Sequence, residues 1–115
     1  MCSHVAVCVP SVFTERQVAA LRDSVEVSGV CPGGSTLLVP WHVALTQAYA
    51  ERHKKDLLAE ANSTSTSPRT VCIVDVGHSS ASALIATFEG LEGRCLAHRT
   101  VSTAGAGHVD GLLFR

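Results

Sequence analysis

With 115 residues, 46% hydrophobic and 17% charged, the chain has the length and composition of one compact domain with a modest core, which argues against disorder. A formal net charge of -1 and no Lys/Arg stripe leave no electrostatic footprint for nucleic acid or an anionic membrane surface. No run approaches the roughly 20 apolar residues of a spanning helix, and Met1-Cys2-Ser3-His4 lacks the basic and apolar regions of a signal peptide, so a soluble, cytoplasmic chain without a membrane partner is expected.

The first strand is expected at Val5-Ala6-Val7-Cys8-Val9, β-branched and stopped by Pro10. A helix should follow from about Glu15 to Ser28. Thr14 and Gln17 make a capping box, Phe13 can staple onto Val18, Val18, Leu21 and Val25 share an inner face, and Gly29 stands at the C′ stop. Cys31-Pro32-Gly33-Gly34-Ser35 is a turn cluster before a second strand, Thr36-Leu37-Leu38-Val39. Pro40 suits the first turn of a second helix, in which Trp41, Ala44, Leu45, Ala48 and Tyr49 recur at helical spacing; the charged run Glu51 to Asp56 is its solvated face.

Asn62 to Pro68 is a polar Ser/Thr segment with no apolar anchor. The chain therefore divides into residues 1–61 (strand, helix, strand, helix), a flexible linker 62–69, and a β-rich part 70–115. Three strands are expected there, about Thr70–Val76, Ala81–Phe88 and Arg94–Val101. The five residues Glu89 to Gly93 join the last two as an antiparallel hairpin in a β-meander. A Gly-rich turn, Ala104 to Gly107, then leads into what reads as the start of a helix.

Five widely spaced cysteines without a Cys-x-x-Cys pair form neither a disulfide framework nor a zinc knuckle, and Cys8 and Cys72, inside apolar strands, are expected to be buried thiols. None of the six histidines pairs with another at the four-residue helical spacing, which disfavours a metal site built from them. Gly105-x-Gly107 is not a dinucleotide fingerprint, because Asp110 stands where the third glycine should fall; no P-loop and no Gly-x-Ser-x-Gly elbow occurs.

The stretch that carries chemistry is Val71-Cys72-Ile73-Val74-Asp75-Val76-Gly77-His78-Ser79-Ser80. It reads as a buried strand delivering a carboxylate to its end, followed by small residues whose backbone N–H groups could face a phosphoryl group. An ordinary hairpin turn with an Asx-type bond has the same composition.

In order along the chain, several segments resemble the nucleotide-binding domain of heat-shock protein 70 chaperones. Val9-Pro10-Ser11-Val12-Phe13-Thr14-Glu15-Arg16-Gln17 resembles the family's Val-Pro-x-x-Phe-x-x-x-Gln/Arg helix start. Val25-Glu26-Val27-Ser28-Gly29 is similar to the helix end Ala-x-x-Ala-Gly, and Ala44-Leu45-Thr46-Gln47-Ala48-Tyr49 to Ala-Ala-x-Ala-Tyr. Asp75-Val76-Gly77-His78-Ser79-Ser80-Ala81-Ser82 resembles the second phosphate loop, Asp-Leu-Gly-Gly-Gly-Thr-Phe-Asp. Its Gly-His-Ser variant is nearer the large heat-shock protein and nucleotide-exchange-factor branch. Ala104 to Asp110 is similar to the following Leu-Gly-Gly-x-x-Phe-Asp.

The resemblance implies an internal fragment of a ribonuclease H-like, actin-like ATPase fold of α/β class: the end of the first lobe, then the opening meander of the second. It implies ATP or ADP with Mg2+ as cofactor, with Asp75 oriented on the metal and Gly77, His78, Ser79 and Ser80 cradling phosphate, and a role as a stress-response chaperone or co-chaperone with chaperone partners. Pro40 and Ser82 occupy positions where the family places acids, and the first phosphate loop is missing, so weak or no hydrolysis is implied. The alternative is an interaction protein that retains only the fold. The two halves could pair into one five-stranded sheet, or remain half-lobes whose exposed strand edges invite self-association.

Overall fold

The computed structural model describes residues 2–63 and 67–113, so the middle of the expected linker (64–66) and residues 114–115 lie outside the described residues. The elements are β1 (His4–Val9), α1 (Glu15–Val27), β2 (Ser35–Pro40), α2 (Trp41–Arg52), α3 (Lys54–Ala61), β3 (Arg69–Val76), β4 (Ala81–Glu89), β5 (Glu92–Val101) and α4 (Ala106–Leu113). The protein is thus mixed α/β, with a parallel β1–β2 pair and an antiparallel sheet in the order β3-β4-β5. It divides into two compact units, Met1–Ala44 and Leu45–Arg115.

In the first unit β1 and β2 pair in register from His4 opposite Ser35 to Val9 opposite Pro40. The capping box at α1 forms as expected. The Gln17 amide donates to Thr14 Oγ1 at 3.4 Å, and the Thr14 amide donates to Gln17 Oε1 at 2.8 Å. Val18, Leu21 and Val25 are the half-buried residues of the helix, and Gly29 adopts φ 66°, the left-handed conformation a C′ residue needs.

The second unit holds most of the described core. Along β4, Ser82, Leu84, Ala86 and Phe88 are all buried, and Thr46, Ala50 and Leu57 are buried on α2 and α3. The Tyr49 and Phe88 rings lie 5.1 Å apart at 35°, and Tyr49 stacks on His53 at 4.3 Å. Arg69 Nη1 stands 3.3 Å from Glu60 Oε1, an ion pair whose geometry does not close a hydrogen bond. The helical segment expected as one piece breaks at His53, whose φ of -107° and ψ of 20° leave the helical region and start α3 afresh. The β4–β5 connection is tighter than the expected five residues: pairing runs out to Glu89 opposite Glu92, leaving Gly90 and Leu91 as a two-residue loop with Gly90 at φ 60°. A glycine at the first position of such a loop matches the hairpin turn whose twist follows that of the strands.

Of the two sheet arrangements the sequence left open, the structure has separate sheets of two and three strands, which leaves β3 bonded to β4 alone within its sheet. Two further expectations are corrected. The strand with a buried face is accordingly β4, whose alternate residues Ser82, Leu84, Ala86 and Phe88 are buried, while β3 is an edge strand whose best-covered residues, Arg69, Val71 and Ile73, are only half-buried. Cys8 and Cys72 are exposed rather than buried. Cys8 alternates out of phase with half-buried Val5, Val7 and Val9, and Cys72 pairs with exposed Ile85 on the sheet face opposite buried Leu84 and Ala86. A period-two strand covered on one face exposes every second residue, apolar or not.

Candidate functional site

Asp75 sits near the end of β3, directly opposite Ser82 in the ladder. Ser82 in turn faces Thr100, and their hydroxyl oxygens are 2.9 Å apart. The Asp75 side chain is exposed and forms no hydrogen bond or ion pair among the described residues. Gly77 to Ser80 form the β3–β4 hairpin loop, closed by the Gly77 amide donating to the Ser80 carbonyl at 2.9 Å. The hairpin-turn reading of this stretch is therefore its actual topology.

The loop is held from outside by the Gly-rich turn that precedes α4. The Ala106 amide donates to the Gly77 carbonyl and the Gly107 amide to the His78 carbonyl, both at 2.8 Å. Gly105 is buried, and a Cβ added there would collide with the backbone of His78, Ser79 and Ser80. The His78 ring lies over Gly107, where an added Cβ would come within 2.6 Å of Cε1 and 2.8 Å of Nε2. Both glycines are thus explained by close approach of the loop, and neither by a dinucleotide.

These bonds decide which donors remain. The amides of Ala106 and Gly107 are engaged by the loop carbonyls, and that of His108 donates to Gly105 at 3.0 Å, so the first turn of α4 is already satisfied. The amides of His78, Ser79 and Ser80, by contrast, make no backbone hydrogen bond outside the ladder among the described residues. A shallow cleft of about 260 Å3 opens beside the first two, lined by His78, Ser79, Ser102, Gly107 and His108. Its walls offer two imidazole rings and two hydroxyls.

Of the residues singled out from sequence, His78 and Ser79 line this cleft; Gly77 and Ser80 close the loop behind it, and Asp75, two residues before Gly77, is not on its wall. Ser102 and His108 were missed as site residues. For His108 the signal lay in its place directly after Gly105-x-Gly107; Ser102 follows the last strand and carries no local signature. No group of three or more His, Cys, Asp or Glu side chains among the described residues is arranged to hold a metal ion. Asp75, exposed, is the carboxylate nearest to the loop in sequence.

No helix among the described residues is long and apolar enough to cross a membrane. No protein-family model matches the chain, and no curated protein matches it.

Proposed function

We propose that the chain binds the phosphates of a nucleotide, ATP or ADP with Mg2+, at the Gly77–Ser80 loop, as a cytoplasmic fragment of a ribonuclease H-like, actin-like ATPase fold related to heat-shock protein 70 chaperones and co-chaperones. The observation that carries this reading is the pinned loop: its first two carbonyls, of Gly77 and His78, are held by Ala106 and Gly107, while the amides of His78, Ser79 and Ser80 make no backbone hydrogen bond outside the ladder among the described residues and a polar cleft opens beside His78 and Ser79. Such successive amides form an anion-binding concavity, and hydroxyls at positions 79 and 80 add donors to phosphate oxygens. Asp75 supplies the carboxylate for the metal. Hydrolysis is weak or absent in this reading. Pro40 brings no carboxylate, and Ser82 offers a buried hydroxyl close to Thr100 where the family has an acid.

Calorimetric titration with Mg-ATP and Mg-ADP tests the reading. It expects binding that weakens at least tenfold in Ser80→Ala and in Asp75→Ala, the latter only when magnesium is present. No heat and no thermal shift at millimolar nucleotide would overturn it.

A second reading, an interaction protein without nucleotide, is favoured by a different observation. One face of the antiparallel sheet exposes Val74, Val76, Ile85 and Val101, and β3 offers an unpaired edge within that sheet. Exposed apolar faces and free strand edges are features of binding surfaces.

A further inference from the structure

The first unit brings the Cys31 thiol onto the backbone of a second cysteine, Cys2. The Cys31 thiol donates to the Cys2 carbonyl at 3.2 Å, although 29 positions separate the residues, and the Cys2 thiol donates to the His4 carbonyl at 2.8 Å. This approach is built into the start of the parallel pair. The Ser35 amide donates to the Ser3 carbonyl at 3.2 Å, and the Gly34 amide donates to Cys31, so the Cys31–Ser35 turn is folded against residues 2 and 3. Gly34 makes the packing possible, because a Cβ there would overlap both the Cys31 sulfur and the Ser3 carbonyl. The other three cysteines, Cys8, Cys72 and Cys95, make no hydrogen bond to another cysteine among the described residues.

We propose that Cys2 and Cys31 form a reversible intramolecular disulfide when the protein meets a peroxide, making the β1–β2 unit a thiol redox site. The two sulfurs have different starting positions. Cys2 is exposed at an open depression of about 580 Å3 shared with Ser3, His4 and the Pro32–Ser35 turn, so a small oxidant reaches it directly. Cys31 is half-buried; burial, then the neighbouring Cys2 sulfur, pushes its thiol above the ordinary range and keeps it protonated at neutral pH. The exposed Cys2 sulfur is therefore the one that meets the oxidant first. That sulfur takes one oxygen of hydrogen peroxide as the O–O bond breaks, giving a sulfenic acid, and the other oxygen leaves, with a proton, as water. Cys31 sulfur then displaces the sulfenic oxygen, which departs as a second water with the Cys31 proton, and the S–S bond forms. Two electrons pass from the two sulfurs to one peroxide. Closing the bond to about 2.0 Å requires the Cys2 thiol to release the His4 carbonyl and turn toward Cys31.

The test treats the full chain with stoichiometric hydrogen peroxide, quenches with a maleimide, and maps the non-reduced peptides by mass spectrometry. The expected result is a Cys2–Cys31 peptide formed at least tenfold faster than any other pairing, reversed by dithiothreitol. Cys2→Ser should abolish it and leave Cys31 alkylated. Cys31→Ser should instead trap Cys2 as a sulfenic acid that a dimedone probe captures. Cys2→Ser changes an exposed residue, so its loss of product cannot be attributed to unfolding. Random pairing among the five cysteines, or intermolecular disulfides forming as fast as the internal one, would overturn the proposal.

Discussion

Gly105→Ala is the substitution on which the account of the loop is most exposed. The added methyl group would collide with backbone atoms of three consecutive residues, His78, Ser79 and Ser80, none of which can rotate away as a side-chain tip could. Relief requires the hairpin loop and the turn before α4 to part, which breaks the Ala106–Gly77 and Gly107–His78 hydrogen bonds. Two net hydrogen bonds at about 1 kcal/mol each, with an overpacking cost of about 1 to 3 kcal/mol, give a loss of about 3 to 5 kcal/mol. In urea, with an m-value of about 2 kcal/mol/M, the midpoint should fall by about 1.5 to 2.5 M. Gly111→Ala is the internal control: it lies in α4, the helix that follows Gly105, with open space around it, so the change should be neutral or stabilise by roughly 0.5 to 1 kcal/mol. Equal midpoints for Gly105→Ala and the unmodified protein would refute the packing described for the loop.

Phe88→Ala should cost about 3 to 5 kcal/mol by urea denaturation, because the ring is only 2% exposed and packs on Tyr49. Thr14→Ala, which removes the side-chain half of the α1 capping box, should cost about 1 kcal/mol in the same assay, while Thr14→Ser restores most of it. Under non-oxidising conditions iodoacetamide should label Cys2 well before Cys31 at neutral pH. The gap should narrow as pH rises, since the raised Cys31 thiol gains its thiolate only above the ordinary cysteine range. Light scattering should show concentration-dependent oligomers if the β3 edge and the open apolar sheet face associate with a second copy, and introducing a lysine at Val74, 65% exposed, should suppress them.

What could be read from sequence was local. The α1 boundary is written in Thr14, Gln17 and Gly29, three residues whose effects act within one turn, and the helix ends where they place it. The order of strands and helices followed from apolar periodicity for the same reason. What could not be read depends on partners distant in sequence. Val71 to Val76 has the composition of a buried strand, yet whether a strand is central or at an edge is decided by its neighbours, and β4 took the central place. The exposure of Cys8 and Cys72 follows from which sheet face each occupies. The break at His53 has no proline or glycine to announce it. In the candidate site, Asp75 and the loop were visible as a motif. The docking of Gly105 and Gly107 on His78 joins segments nearly thirty residues apart, and only folding shows why glycine stands there.

The claim at the centre of this account is that the loop amides of His78, Ser79 and Ser80 are donors awaiting phosphate. A 15N-labelled sample titrated with Mg-ATP tests it residue by residue. The account predicts saturable amide shifts at these three residues, with Ala106 and Gly107 shifting much less because their hydrogen bonds to the loop persist. Unmoved His78, Ser79 and Ser80 amides at millimolar nucleotide would contradict it.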